Sequence, residues 1–187
     1  MTAAILKELI ARIAVNNDCA AYKKLFLHYH PKLISFSYAI THCKESSEEV
    51  VSDVFLKIWK MRKTVLAVDN LHLYVYVITK NISLNYLAKQ KRSRVFFLDD
   101  VKTEFKSLSY DPEQLMITSE MFKRIRAAVQ ELPPKCQLIF KLIKEDNLSY
   151  KEVAELLHLS VKTIEAQMTI ALRRLANSVY FREPSLS

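Results

Sequence analysis

The sequence predicts an all-α protein, and three observations support this fold class. The 187 residues include no glycine, and the tight turns of β-hairpins depend on glycine. Apolar residues recur at helical spacing in both halves of the chain. Residues that typically begin helices stand directly before several of these apolar runs.

The first predicted helix lies near the N-terminus, in the segment MTAAILKELIARIAVNN. One face of this helix would carry the apolar residues Ile5, Leu6, Leu9, Ile10 and Ile13. Charged residues interrupt the segment and no cleavage-type sequence ends it, so we expect a domain helix rather than a signal peptide. No apolar run in the chain approaches the roughly 20 residues needed to cross a bilayer.

Residues typical of helix ends predict where the following helices begin. Asn17-Asp18 precedes an apolar run, and Asp111-Pro112 combines an N-cap residue with proline at the first helical position. The sequences SSEE (Ser46 to Glu49) and SYKE (Ser149 to Glu152) match the capping box, in which serine and glutamate bond each other's backbone amides. Leu132-Pro133-Pro134 predicts the end of one helix and the start of the next.

A change in composition predicts two domains. Helical periodicity fails between Phe96 and Tyr110, where the chain becomes acidic and polar. We therefore expect an N-terminal helical domain over residues 1–95, a flexible linker over 96–111 and a C-terminal helical domain over 112–187.

The charge of the chain indicates a polyanionic partner. There are 28 Lys and Arg residues against 20 Asp and Glu, a formal net charge of +8, and nucleic acid is the polyanion that we favour. The lack of glycine excludes P-loops, GxGxxG turns and GxSxG elbows, because each needs backbone conformations that glycine permits.

The three cysteines, Cys19, Cys43 and Cys136, are far apart and have no metal-binding spacing. Neither a disulfide framework nor a zinc site is predicted, and this pattern fits a reducing cytoplasm. We expect no metal and no cofactor.

The segment LSYKEVAELLHLSVKTIEAQMTIALRRL predicts two helices separated by His158-Leu159-Ser160. So short a break makes the helices cross steeply, as in a helix-turn-helix whose second helix enters a DNA major groove. Ser160 is the expected N-cap, and His158 tolerates a left-handed conformation. The predicted buried stripe of the second helix is Val161, Ile164, Met168, Leu172 and Leu175. Its exposed face and flanks would carry Lys162, Thr163, Glu165, Ala166, Thr169 and Arg173.

Two segments of the N-terminal domain have charge patterns that suggest binding surfaces. SSEEVVSDVFLKIWKMRK is acidic first and basic later, around an apolar face. The acids complement the helix dipole, and the functional interpretation is a protein-docking surface followed by a nucleic-acid surface. LHLYVYVITKNISLNYLAKQKRSR interleaves tyrosines, Tyr76 among them, with a basic series, which suits unpaired bases.

In this order, the motifs resemble the extracytoplasmic-function (ECF) group of sigma-70-type RNA polymerase sigma factors. SSEEVVSDVFLKIWKMR is similar to region 2.2 of that family running into region 2.3, and LHLYVYVITKNISLNYLAKQKR is similar to region 2.4. LPPKCQLIFKLIKEDNLSYKEVAELLHLSVKTIEAQMTIALRRL resembles region 4. The resemblance covers roughly Asp18 to Leu175.

The resemblance implies a sigma factor, not an enzyme, that directs core RNA polymerase to promoter DNA and assists its melting. Its partners would be the polymerase β′ clamp and β subunit, promoter DNA and an anti-sigma factor, which is often membrane-anchored in the family. The polymerase-binding residues would be Glu49, Ser52 and Asp53, although the family usually has Gln where Ser52 stands.

The resemblance also implies which residues contact DNA. The −35 element would be read by Lys162, Thr163, Glu165, Ala166, Thr169 and Arg173. The −10 element would be bound by Lys80, Asn81, Asn85, Lys89 and Arg92. The segment Thr64 to His72 matches the loop that shapes base specificity in the family, and the linker acids Asp99, Asp100 and Glu104 would lie near the RNA exit path.

Three alternatives follow from the residues alone. The C-terminal pair of helices is also consistent with an ordinary helical hairpin. A different helix-turn-helix regulator would bind duplex DNA without polymerase, but would leave the basic tyrosine-containing segment unexplained. An enzyme acting on DNA would need a nucleophile among arginines or a carboxylate metal site, and the sequence has neither pattern; His158 likewise lacks a partner at ligand spacing.

Overall fold

The structure is a computed structural model that describes residues 1–89 and 119–180, with side chains for 1–89 and 123–177. Every regular element in these residues is a helix, which confirms the predicted all-α class. The chain divides into two compact units, Met1–Phe96 and Phe97–Ser187. The predicted linker over 96–111 and the Asp111-Pro112 helix start lie outside the described residues, so the domain boundaries stay predictions.

The N-terminal unit is a helical bundle. Its helices are α1 (Ala3–Asn16), α2 (Cys19–Thr41), α3 (Lys44–Lys60), α4 (Arg62–Val65) and α5 (Leu71–Lys89). Helices α2, α3 and α5 pack against one another, and α1 lies against α2 and α4. The apolar faces predicted from helical spacing form the core, with Leu25, Leu33 and Val54 all fully buried.

The corner between α1 and α2 is braced by Asp18, which caps α2 as predicted. Its Oδ1 accepts hydrogen bonds from the amides of Ala20 and Ala21 at 2.9 and 3.0 Å. Its Oδ2 accepts two bonds from the Arg12 guanidinium, at 2.9 and 2.7 Å. The amide of Ala21 and the Arg12 guanidinium hold the pKa of the Asp18 carboxyl below its ordinary value.

The predicted capping box at SSEE is wrong. Helix α3 begins earlier, at Lys44, and Ser46 and Ser47 are buried inside it. The Ser47 hydroxyl bonds the Cys43 carbonyl at 2.7 Å and the Thr41 hydroxyl at 2.9 Å. The Ser47 hydroxyl therefore bonds a carbonyl and a hydroxyl instead of the free amide that a capping serine would bond, because Ser47 lies within α3 and not before it.

Burial also separates residues that the N-terminal helical patterns had grouped together. Ile5 of α1 was predicted on the apolar face but is 48% exposed. Tyr76, predicted within a surface for unpaired bases, is fully buried in the bundle core.

Burial lowers the pKa of His28 on α2 to about 4, with a smaller contribution from Lys32.

The C-terminal unit contains α6 (Ser119–Gln130), α7 (Pro134–Lys144), α8 (Tyr150–Leu157) and α9 (Val161–Tyr180). Helix α6 ends before Pro133-Pro134 and α7 begins at the second proline, as predicted. Helix α9 packs on α6, α7 and α8. In the parts of both units that the structure describes, no helix is long and apolar enough to cross a membrane.

Candidate nucleic-acid interface

Helices α8 and α9 form the predicted helix-turn-helix. The capping box at the start of α8 is present: the Ser149 amide donates to Glu152 Oε2 at 2.6 Å, and the Glu152 amide donates to Ser149 Oγ at 3.3 Å. His158 ends the helix in the left-handed region, at φ 54° and ψ 45°. Ser160 caps α9 by accepting a bond from the Thr163 amide at 3.0 Å. Helix ends on both sides of the turn are therefore fixed locally.

The exposed face of α9 carries the residues predicted to read DNA. Its exposed members are Lys162, Glu165, Ala166, Thr169 and Arg173, and Thr163 is half-buried at the edge. This face presents two cations, a hydroxyl and a carboxylate along about three turns, the chemistry used for phosphate and base-edge contacts in a groove.

The buried stripe of α9 differs from the predicted one: two of the five predicted residues are exposed, and Leu175 is only half-buried. Ile164, Met168 and Ala171 are buried, but Val161 is 37% exposed and Leu172 is 48% exposed. At 100° per residue, Val161 lies roughly 50° and Leu172 roughly 70° from the centre of the buried stripe. The small side chain of Ala171 faces the core instead. Alanine is only weakly hydrophobic, so Ala171 is buried because of its position on the helix.

Helix α7 supports the helix-turn-helix from behind. The Cys136 thiol donates to the Gln167 carbonyl of α9 at 3.1 Å, and burial raises the pKa of that thiol. At the other end of α7, Lys141 Nζ lies 2.7 Å from Asp146 Oδ2, with these side chains 5% and 1% exposed. This buried ion pair closes the turn that leads from α7 into α8.

The predicted docking residues occupy one exposed face of α3. Glu49, Ser52 and Asp53 are all exposed, and the Ser52 hydroxyl donates to the Glu48 carbonyl at 2.8 Å. Leu56, one turn further on, is 54% exposed. Leu56 was not among the predicted docking residues, and the sequence gives no signal for it, because single exposed apolar residues are common on protein surfaces.

The predicted −10 residues on α5 divide by exposure. Asn81, Asn85 and Lys89 are exposed, whereas Lys80 is buried at 7% exposure. Burial lowers the pKa of Lys80. Arg92 and the linker acids fall outside the described residues.

The loop between α4 and α5, residues 66–70, lies within the predicted specificity segment. Leu66, Ala67 and Asp69 are exposed in this loop. Where the segment ends, the Tyr29 hydroxyl of the core lies 2.8 Å from His72 Nδ1. Among the described residues, no group of three His, Cys, Asp or Glu side chains is arranged to hold a metal ion.

Comparison with known families agrees with these two units. Residues 25–93 match the family described as Sigma-70 region 2, and residues 122–175 match Sigma-70, region 4. The two matches define the class as a sigma-70 factor made of these two conserved regions.

Similarity to curated relatives indicates which group of sigma-70 factors the chain resembles. The chain is 23% identical over 189 residues to the ECF RNA polymerase sigma-E factor of Escherichia coli K12, covering 96% of this chain and 97% of the relative. It is 20% identical over 173 residues to the RNA polymerase sigma-H factor of Pseudomonas aeruginosa, covering 87% of each. This chain belongs to the ECF group of the sigma-70 family.

Solved structures share the fold. CnrH, in complex with the cytosolic domain of CnrY, matches with a TM-score of 0.52 at 17% identity, over 95% of this chain and 98% of that one. The sigma factor RpoE of Bartonella quintana, in complex with the anti-sigma factor NepR, matches with a TM-score of 0.53 at 19% identity, over 87% and 98%.

The general role of the chain follows from its family. Sigma factors are transcription initiation factors rather than catalytic enzymes, and they bind core RNA polymerase and promoter DNA. The role of this chain is therefore in promoter-specific transcription initiation.

Proposed function

We propose that the C-terminal unit reads the −35 promoter element with the exposed face of α9. The observation that carries this proposal is the helix-turn-helix, with both helix ends capped and Lys162 and Arg173 exposed on the second helix. The two cations would bind phosphates and set the position of the helix. Thr163, Glu165, Ala166 and Thr169 would meet base edges in the major groove.

The N-terminal unit would act at the −10 element. Asn81, Asn85 and Lys89 lie exposed along α5 and would contact the strand there, and Arg92, which comes later in the sequence, would contribute a further cation. Loop 66–70 would hold an unpaired base, and binding the unpaired state would favour melting by shifting the equilibrium toward it. A DNA contact by Lys80 requires its buried side chain to move.

Polymerase docking would use the exposed face of α3. Glu49 and Asp53 offer carboxylates, Ser52 a hydroxyl, and Leu56 an apolar anchor one turn away. A central apolar residue with polar neighbours is the usual composition of a binding surface. The β′ clamp is the proposed partner of this face, with the β subunit as a further contact in the holoenzyme.

We also propose an anti-sigma partner. Two of the structural neighbours, CnrH and RpoE, were solved in complexes, RpoE with a protein described as an anti-sigma factor. A protein that covers the α3 face or the α9 face would keep this chain from polymerase or from DNA, and a membrane-anchored protein with a cytoplasmic segment could do so. Its site of action would be the cytoplasm, where polymerase and promoter DNA are found.

Reconstituted transcription tests the proposed function. The purified chain is mixed with core RNA polymerase and with the DNA that lies upstream of its own gene, and transcript start sites are mapped. Initiation that needs both components supports the proposal. Duplex binding by the chain with no polymerase association would instead indicate an ordinary helix-turn-helix regulator and would refute it.

A further inference from the structure

Helix α4 sets where the predicted specificity loop begins. It has only four residues, Arg62–Val65, and a helix this short is not stable without tertiary contacts. The amides of Ala67 and Val68 donate to the carbonyls of Thr64 and Val65, both at 3.1 Å. Loop 66–70 therefore moves with α4, and whatever fixes α4 also positions the loop.

Arg62, the first residue of α4, makes three interactions that fix it. Its Nε donates to Asn17 Oδ1 at 2.7 Å, and its Nη1 donates to the Trp59 carbonyl at 2.9 Å. Its guanidinium carbon lies 5.1 Å from the centre of the Trp59 ring. The planar guanidinium contacts Asn17 at the end of α1, the Trp59 carbonyl of α3 and the face of the Trp59 ring at the same time. A lysine ammonium would not make all three contacts.

The acceptor on Asn17 belongs to a rigid corner. Asn17 ends α1 in the left-handed region at φ 50°, and the next residue is Asp18, held by two bonds from Arg12. The far end of the loop is fixed as well, since Asn70 Oδ1 accepts the Leu73 amide at 3.0 Å. Loop 66–70 thus spans two anchored ends.

We propose that Arg62 and Asn17 are positioning residues for base selection at the −10 element, and that helix α1 forms part of the frame holding the loop. This inference rests on the proposed function of loop 66–70. Helix α1 precedes residues 25–93, which match the region 2 family, so the family match does not include this frame. Selecting one base requires a loop held in one position, whereas phosphate attraction does not.

The two residues allow matched variants. Asn17→Gly removes the acceptor but accommodates the positive φ, and Asn17→Asp keeps an acceptor at the same place. Arg62→Lys keeps the charge and loses the fork. Lys63→Ala is the control, because Lys63 is an exposed cation next to Arg62.

The experiment selects promoters with the holoenzyme. Full-length chain assembled with core RNA polymerase is offered duplex promoter DNA with a fixed −35 element and a randomised −10 element, and the retained DNA is sequenced. Circular dichroism confirms that each variant has the helix content of the wild type. We expect Asn17→Gly and Arg62→Lys each to reduce enrichment of the preferred base about tenfold, as for loss of one hydrogen bond to a charged group.

The other variants separate positioning from charge. Asn17→Asp should keep the wild-type preference, and the Asn17→Gly/Arg62→Lys double variant should be no worse than Arg62→Lys alone, because both changes remove one bridge. Lys63→Ala should lower the total DNA retained and keep the preference.

Three results would overturn the inference. Unchanged base preference in Asn17→Gly and Arg62→Lys would show that the bridge does not position the loop, while leaving the proposed function intact. Loss of preference in Lys63→Ala to the same extent would assign the effect to charge. A wild-type holoenzyme that initiates but selects no −10 base would overturn both the inference and the proposed role of the loop.

Discussion

Replacing Lys141 with methionine is expected to destabilise the C-terminal unit by about 3–5 kcal/mol. Lys141 Nζ lies 2.7 Å from Asp146 Oδ2, with the two side chains 5% and 1% exposed. Methionine keeps most of the apolar length of lysine, so the main loss is the cation. The Asp146 carboxylate would then be buried without the Lys141 cation, which costs far more than the loss of a surface ion pair.

This loss is large compared with the stability of a domain, which is typically about 5–15 kcal/mol. Hydrogen exchange of the α7 to α9 amides measures it in the full-length chain. Since about 1.4 kcal/mol corresponds to a tenfold change, exchange through global opening of this unit should accelerate about a hundredfold to several thousandfold. The sequence has one tryptophan, Trp59, and it lies in the N-terminal unit. Its fluorescence therefore reports the unfolding of the N-terminal unit separately.

Two further variants test the reasoning. Lys144→Met changes an exposed lysine one turn away and should alter stability by no more than about 0.5 kcal/mol. The Lys141→Met/Asp146→Leu double variant removes both charges and should be more stable than Lys141→Met alone. Exchange rates in Lys141→Met equal to those in Lys144→Met would refute the claim that removing the Lys141 cation from the buried Asp146 carboxylate destabilises this unit.

The remaining predictions concern binding and pH. Lys162→Ala and Arg173→Ala should each weaken −35 duplex binding and lower its salt-dependence slope by about 1 in binding titrations, and an equal effect of Arg174→Ala, on a different side of α9, would contradict the assignment. Asp53→Lys should reduce association with core polymerase in gel filtration, and normal holoenzyme assembly would remove Asp53 from the docking face. His28 has a folded-state pKa lowered to about 4 against an ordinary value of 6.5, so its contribution to stability is complete above pH 6.5 and is lost as the pH falls toward 4. Stability measured by urea unfolding should fall less over this range in His28→Gln, and identical slopes would refute the role of His28.

Local sequence patterns predicted the features that depend on neighbouring residues. The capping box at Ser149, the proline pair before α7 and the left-handed His158 each involve residues a few positions apart, so their geometry follows from the sequence. The order of the motifs also identified the sigma family, which the matches to region 2 and region 4 confirm. The residues assigned to DNA and polymerase stay predictions.

Features that depend on how the helices pack together could not be predicted from local patterns. Serines at 46 and 47 match a capping box, yet both lie within α3, and the Ser47 hydroxyl bonds Thr41 at the end of α2. Lys80 stands in a basic series, but the packing of α5 against α2 and α3 buries it. Helical spacing identifies apolar residues without fixing how wide the buried stripe is, which is why Val161 and Leu172 proved exposed.

The sequence by itself determined the helical class, the helix-turn-helix and the family, because each rests on short-range chemistry or on the order of motifs. Only the tertiary structure brought Arg62 within 2.7 Å of Asn17 and Tyr29 within 2.8 Å of His72, pairs separated by 45 and 43 residues. No periodic pattern relates residues so far apart, because their meeting depends on how all the intervening helices pack. The frame around the predicted specificity loop is therefore a property of the folded bundle.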